Sequence, residues 1–371
     1  MESEVPPIYR APAPPPPPPP PAPPARRGTW KVVIFVLVLV VAVLSLYSNV
    51  RHYFRSVTIK SDGDSGRSLE EVTVENNHSA NRIAVVDVSG IITGEYIDRS
   101  GHNMVSLIKD SLAAAKDEDS VKAVILKVDS PGGEVLASDS IYKAVADFQK
   151  KSGKPVIAAM GGLAASGGYY VSAPCRWIVA HEMTITGSIG VIMHTYNYRG
   201  LMDKVGVMPE VFKSGKFKDM LSGEKEPGDT LPEERQMIQS LIDETFGRFK
   251  AIVAEGRLRA NNENSKANET GRKLVSNWQE LADGRILSGR QAYESGFVDE
   301  LGDFDAAVKR AQKLANISDA NLIRYVEPVD FSSLFRLFGK TEAPVLKIDL
   351  GFDLPKLQLG RLYFISPTVL H

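Results

Sequence analysis

Cysteine is all but missing from this chain, with one in 371 residues, and histidine is sparse at six. A single cysteine excludes an intramolecular disulfide, and no paired Cys/His spacing exists to hold a metal ion. Phosphate-cradling patterns are also missing. No G-x-x-x-x-G-K-[ST] or G-x-G-x-x-G stretch occurs, so no nucleotide or other cofactor is expected. An excess of either charge is lacking: 44 Lys and Arg face 45 Asp and Glu, for a net charge of -1. That balance supplies no basic field for a nucleic-acid partner. No internal repeat is visible. The lone Cys175 stands in the apolar phrase "APCRWIV" and reads as a small core residue rather than a nucleophile.

What the chain does have begins with a charge-free run, Val32 to Val50. At about 1.5 Å per residue such a helix approaches the ~30 Å of a bilayer core. The run starts after some 30 residues and offers no A-x-A-like cleavage site, so it reads as an uncleaved anchor over residues 29–50, with Trp30 and Tyr47 at the interfaces. Arg26, Arg27 and Lys31 precede it and Arg51, Arg55 and Lys60 follow, which leaves its orientation open. Residues 1–28 contain the run Pro14 to Pro21, an extended polyproline spacer. Residues 51–80 are polar and read as a linker.

From about Arg82 the pattern changes. "IAVVDVSG" (Ile83–Gly90), "KAVILKVDS" (Lys122–Ser130), "PVIAAM" (Pro155–Met160) and "WIVAH" (Trp177–His181) are short apolar runs of the kind buried strands use. Glu134–Lys151 has apolar residues at helical spacing and stops before Gly153 and Pro155. Pro232–Arg257 is a long amphipathic helix with proline in its first turn. Strand, helix and strand in this order predict an α/β fold with a parallel sheet and flanking helices over residues 81–325. Residues 326–371 form an extension, and its apolar end "LGRLYFISPTVLH" is expected to dock in a groove or on a neighbouring chain.

Three loops fall where an open α/β sheet keeps its ligands. "DSPGGEV" (Asp129–Val135) pairs two glycines after a strand, and backbone N–H groups there can form an anion-holding nest. "GGLAASGGYYVSAP" (Gly161–Pro174) strips bulk from both sides of Ser166, which lets another backbone approach closely. "FKSGKFKDM" (Phe212–Met220) carries three lysines around a turn. A serine hydroxyl needs a base to become a nucleophile. His102, His181 and His194 are candidates inside the domain, and a lysine desolvated by its surroundings is another.

Taken together, "DSPGGEVLASDSIYKAV", "AASGGYYVSAPC", "TGSIGVIM", "KSGKFKDM" and "DGRILSGRQAYESGFVDELG" resemble the signal peptide peptidase A family of membrane-anchored serine proteases, the S49 peptidases. The resemblance runs from about Arg82 to about Ala315 and implies a fold like that of Clp protease and crotonase, a spiral of repeated ββα units. It implies a Ser/Lys dyad, with Ser166 as nucleophile and Lys218, 52 positions on, as base. Lys213 and Lys216 remain solvated loop charges. Gly132, Gly133 and Gly167 become candidate oxyanion donors, and Ser188 in "TGSIG" becomes the serine that steadies the lysine. The implied activity is cleavage of remnant signal peptides and other membrane-derived peptides, without a cofactor. The resemblance further implies a single-pass bacterial inner-membrane protein with its catalytic part outside the cytoplasm, assembled as a homo-oligomeric ring of about eight chains. Two rival readings share the fold: a crotonase-like acyl-CoA enzyme, and a non-catalytic scaffold.

Overall fold

The structure is a computed structural model that describes residues 35–41, 69–94, 103–327 and 361–365. The chain divides into two units, Met1–Lys60 and Ser61–His371. In the first, residues 35–41 form helix α1, whose apolar side chains are all exposed. Among the described residues no helix is long and apolar enough to cross a membrane. The rest of the charge-free run and the proline-rich segment lie outside the described residues.

Among the described residues the second unit is organised around a nine-stranded sheet. Its main path runs β1 (Glu70–Glu75), β10 (Asn321–Val326), β2 (Arg82–Ser89), β3 (Val121–Ser130), β5 (Val156–Ala165), β6 (Trp177–Ala180) and β9 (Glu300–Leu301). Every pairing from β10 to β9 is parallel, and β1 alone on this path runs antiparallel. The expected α/β class with a mostly parallel sheet is therefore observed.

Period-two alternation sorts the strand residues to two faces. Ala84, Val86, Val88, Val124, Leu126 and Val128 enter one core, while Ile83, Val85, Ala123 and Ile125 enter the other. Helices α2 (Met104–Asp117), α3 (Val135–Ser152) and α4 (Gly167–Ser172) cover the first face. Helix α9 (Phe304–Leu314) covers the second through Ala307 and Ala311. On α3 the residues Ile141, Val145 and Phe148 are spaced to share one stripe and are buried, each stabilising the fold by roughly 1.5–3 kcal/mol. Gly153 ends that helix at φ 71°, a left-handed position glycine takes without strain.

Three expectations need correction. Residues 70–75, read as linker, form β1, because "EEVTVE" alternates β-branched and polar residues and finds β10 as an antiparallel partner. Helix α6 (Pro232–Lys266) runs past Arg257, since no proline or glycine interrupts "LRANNENSK". The pair Gly132–Gly133, read as a loop able to form an anion-holding nest, belongs to a short strand β4 (Gly132–Glu134) that pairs antiparallel with β11 (Tyr363–Ile365). Residues 361–365, the described part of the C-terminal segment, thus dock on their own chain.

Candidate active site

Ser166 stands at the junction of β5 and α4. The chain turns there so sharply that Ser166 takes φ 54°, a left-handed conformation that costs a non-glycine residue on the order of 1 kcal/mol or more. Its side chain is fully buried and its Oγ has no hydrogen-bond partner among the described residues. A strained serine with an uncommitted buried hydroxyl is the combination a reacting nucleophile requires, because every buried polar atom normally finds a partner.

Neighbouring elements fix that turn. Strand β7 (Ile185–Gly187) runs parallel to the end of β5, and the Ser166 amide donates to the Gly187 carbonyl at 2.8 Å. This places Ser188, itself at φ 49° and buried, directly after the residue that holds Ser166. Strand β8 (Ile286–Ser288) pairs antiparallel with β7, and the Ser188 amide donates to the Arg285 carbonyl at 2.7 Å. Behind the serine, Tyr169 Oη donates to the Phe297 carbonyl and Tyr170 Oη to Asp139 Oδ1, both at 2.9 Å. Burial pushes both phenols above their ordinary range, so they remain neutral props for α4.

The three glycines converge on this turn. A Cβ on Gly167 would lie 2.8 Å from Ser138 Oγ, 3.0 Å from Gly132 Cα and 3.1 Å from Gly133 N. A Cβ on Gly132, where φ is 102°, would lie 2.6 Å from Gly167 N and collide with the Phe364 carbonyl oxygen. The site therefore tolerates no side chain at either position. The Gly132 amide donates to Ser130 Oγ at 3.1 Å, and Ser130 in turn donates to the Gly90 carbonyl at 2.6 Å. The Gly132 amide is thus already committed within the fold.

The lysines sort themselves by partner. Lys213 pairs with Asp219 at 2.7 Å, and Lys216 pairs with Glu233 at 3.1 Å. Lys218 is exposed and makes no side-chain hydrogen bond or ion pair among the described residues. Within one chain no hydrogen bond joins it to Ser166. Around it the segment from Tyr196 to Phe212 presents Leu201, Val205 and Met208 to solvent, with Met208 84% and Phe212 87% exposed. Of the candidate histidines, His181 Nδ1 accepts from the Met183 amide, His194 keeps a buried Nε2 without a partner, and His102 lies outside the described residues.

Sequence reasoning missed Ser130, Ser138 and Asp129. Ser138 Oγ is buried and unpartnered beside Gly167, and Asp129 Oδ1 accepts from the Leu163 amide at 3.1 Å where β5 widens. Their signal was proximity to "SPGG", which carries no instruction about which hydroxyl turns inward. Cys175 is fully buried, and desolvation pushes its thiol up to about 12, as expected of a core residue.

A buried, strained serine at a glycine-lined turn of a parallel α/β sheet is an arrangement that serine hydrolases use. Comparison with known proteins narrows it. The model for peptidase family S49 matches residues 148–318, and that for Clp protease matches residues 78–176. A protein named signal peptide peptidase SppA from Enterococcus faecium is 38% identical over 69% of this chain and 70% of its own length. A protease of Methanocaldococcus jannaschii is 41% identical over 56% of this chain and 61% of its own. Protease 4 of Haemophilus influenzae is 36% identical over 66% of this chain but only 36% of its own. The chain belongs to peptidase family S49 and is a serine protease. Family membership speaks for peptide hydrolysis over the acyl-CoA reading.

Proposed function

We propose that the protein is a membrane-anchored endopeptidase in which Ser166 attacks and Lys218 of a second copy of the chain is the base. The observation that carries this reading is the buried, unpartnered Ser166 hydroxyl held at positive φ beside Gly133 and Gly167. The neutral lysine amine takes the proton as Ser166 Oγ bonds to the scissile carbonyl carbon. The resulting oxyanion is held by the Gly133 and Gly167 amides, an arrangement that contributes about 10²–10³-fold per donor. Lysine then returns the proton to the leaving amine, and water releases the acyl group from Ser166 by the same route. Ser188, next to the turn, is the serine that steadies the lysine.

Two observations support a base in trans. Lys218 is exposed while Ser166 is buried, and the segment before Lys218 presents a run of apolar side chains to water, the mark of a surface meant to be covered. A homo-oligomer of about eight chains would cover it. The apolar run at residues 29–50 is the anchor, the domain from residue 81 is a spiral of ββα units, and its location is outside the cytoplasm at the inner membrane. The substrates are remnant signal peptides and other membrane-derived peptides. Peptide hydrolysis by the full chain in detergent tests the reading: labelling of Ser166 by a serine-reactive phosphonate, with loss of activity, is expected. An active protein in which the phosphonate labels another residue contradicts it.

A further inference from the structure

Strand β4 has an occupant. Tyr363, Phe364 and Ile365 pair antiparallel with Glu134, Gly133 and Gly132, and on its other side Tyr363 exchanges two backbone hydrogen bonds with Ile192, at 3.0 and 3.1 Å. The segment is thus an extended peptide between two edges, lying on Gly132 and Gly133, which pack against Gly167 beside Ser166. Recognition of this kind takes affinity from the main chain and selectivity from alternate side chains.

Two side chains of the segment are read by the protein. Phe364 is fully buried, stacked on Tyr170 at 4.7 Å between centroids and tilted against Phe249 at 4.8 Å. The Tyr170 ring is fixed by its bond to Asp139 and by the edge of Tyr142. Three residues before Phe364, Arg361 Nη1 donates to Glu134 Oε1 at 2.7 Å. The Glu134 side chain is only 12% exposed, and its other oxygen accepts from the Gly94 amide at 3.2 Å. One carboxylate oxygen is therefore committed to the fold, and the other faces the groove.

We infer that this edge is the substrate groove and that Glu134 is a specificity-determining residue. It selects peptides with a basic side chain three residues before an aromatic one that enters the Tyr170–Phe249 pocket. The inference rests on the reading of Ser166 as nucleophile, and the C-terminal segment is a resident of the groove that an incoming peptide displaces. A three-residue strand is short enough to exchange.

Two internally quenched peptides that differ only in Arg or Gln three residues before a Phe read this in the full chain. The expected kcat/KM is about tenfold higher for the arginine peptide, carried by KM. Glu134→Gln, which keeps an oxygen for the Gly94 amide, is expected to bring the ratio near one, and Glu134→Lys to turn the preference toward a peptide with Glu at that position. Equal kcat/KM for the two peptides in the wild type, or an arginine preference that survives Glu134→Gln, overturns the role of Glu134 and leaves the protease reading standing. If the wild type hydrolyses neither peptide and the serine-reactive phosphonate does not label Ser166, the reading of Ser166 as nucleophile fails instead. Fluorescence anisotropy with the same peptides and the Ser166→Ala chain then decides: about tenfold tighter binding of the arginine peptide upholds Glu134, and equal binding overturns it.

Discussion

Gly132 and Gly167 touch across the active-site turn: a Cβ on Gly167 would stand 3.0 Å from the Gly132 Cα. The contact joins the start of β4 to the start of α4, and so sets the glycine amides and the Ser166 hydroxyl in one small space. Residues 35 positions apart are brought together because β3 and β5 are parallel neighbours whose ends lie side by side.

Gly132→Ala is expected to disrupt this junction. Its φ of 102° and the collision with the Phe364 carbonyl act together, at a cost of roughly 1–3 kcal/mol. Denaturant unfolding and peptide hydrolysis measured on the same preparation should both fall, activity by more than about tenfold. Wild-type stability in the alanine variant would mean that the strand moves away at little cost.

Ser166→Gly separates stability from activity. Glycine accepts φ 54° without strain, so the variant should gain roughly 1 kcal/mol while hydrolysis drops by at least about 10³-fold. Thermal unfolding checks the first half. A lower Tm for Ser166→Gly would show that the backbone here is not strained.

Asp299 holds Arg257 in the core, where both side chains are essentially inaccessible, and also accepts from the Ile178 and Arg272 amides. Asp299→Ala leaves a buried guanidinium unpaired, and a loss of about 3–5 kcal/mol is expected. Urea unfolding measures it, and a change under about 1 kcal/mol would mean that water reaches Arg257.

Cys175 should resist alkylation in the native protein. Burial withdraws the thiol from solvent and raises its ionisation to about 12, so the thiolate that reacts is scarce. Iodoacetamide labelling followed by mass spectrometry should be slow until denaturant is added. Fast native labelling would indicate that the α4 region opens readily.

Strands β3 and β6 were legible because each carries an apolar run buried on both faces, "AVIL" in the first and "WIVA" in the second. Strands β4, β7, β8 and β11 were not, since each has three residues and owes its existence to a distant partner: nothing local in "GGE" announces a pairing with "YFI". Strand β5 was read only to Met160, because "GGLAA" lacks the bulk that marks a strand. At the site, the small residues around Ser166 were visible as a pattern, whereas its dihedral angles and orphaned hydroxyl belong to the fold. The ion pairs of Lys213 and Lys216, which leave Lys218 uncommitted, depend on Asp219 and Glu233 turning toward the loop, and no spacing rule conveys that.

The central claim is that Ser166 and a lysine from a neighbouring chain make one site, and co-expression of Ser166→Ala with Lys218→Ala tests it most directly. Each variant alone should lose activity by at least about 10³-fold, while a random mixture pairs an intact serine with an intact lysine at about a quarter of its sites and should recover activity on that order. A mixture as inactive as its parents, in chains that fold and assemble normally, would contradict a base in trans. A Lys218→Ala chain active on its own would remove Lys218 from the mechanism and turn attention to His194, whose Nε2 is buried without a partner.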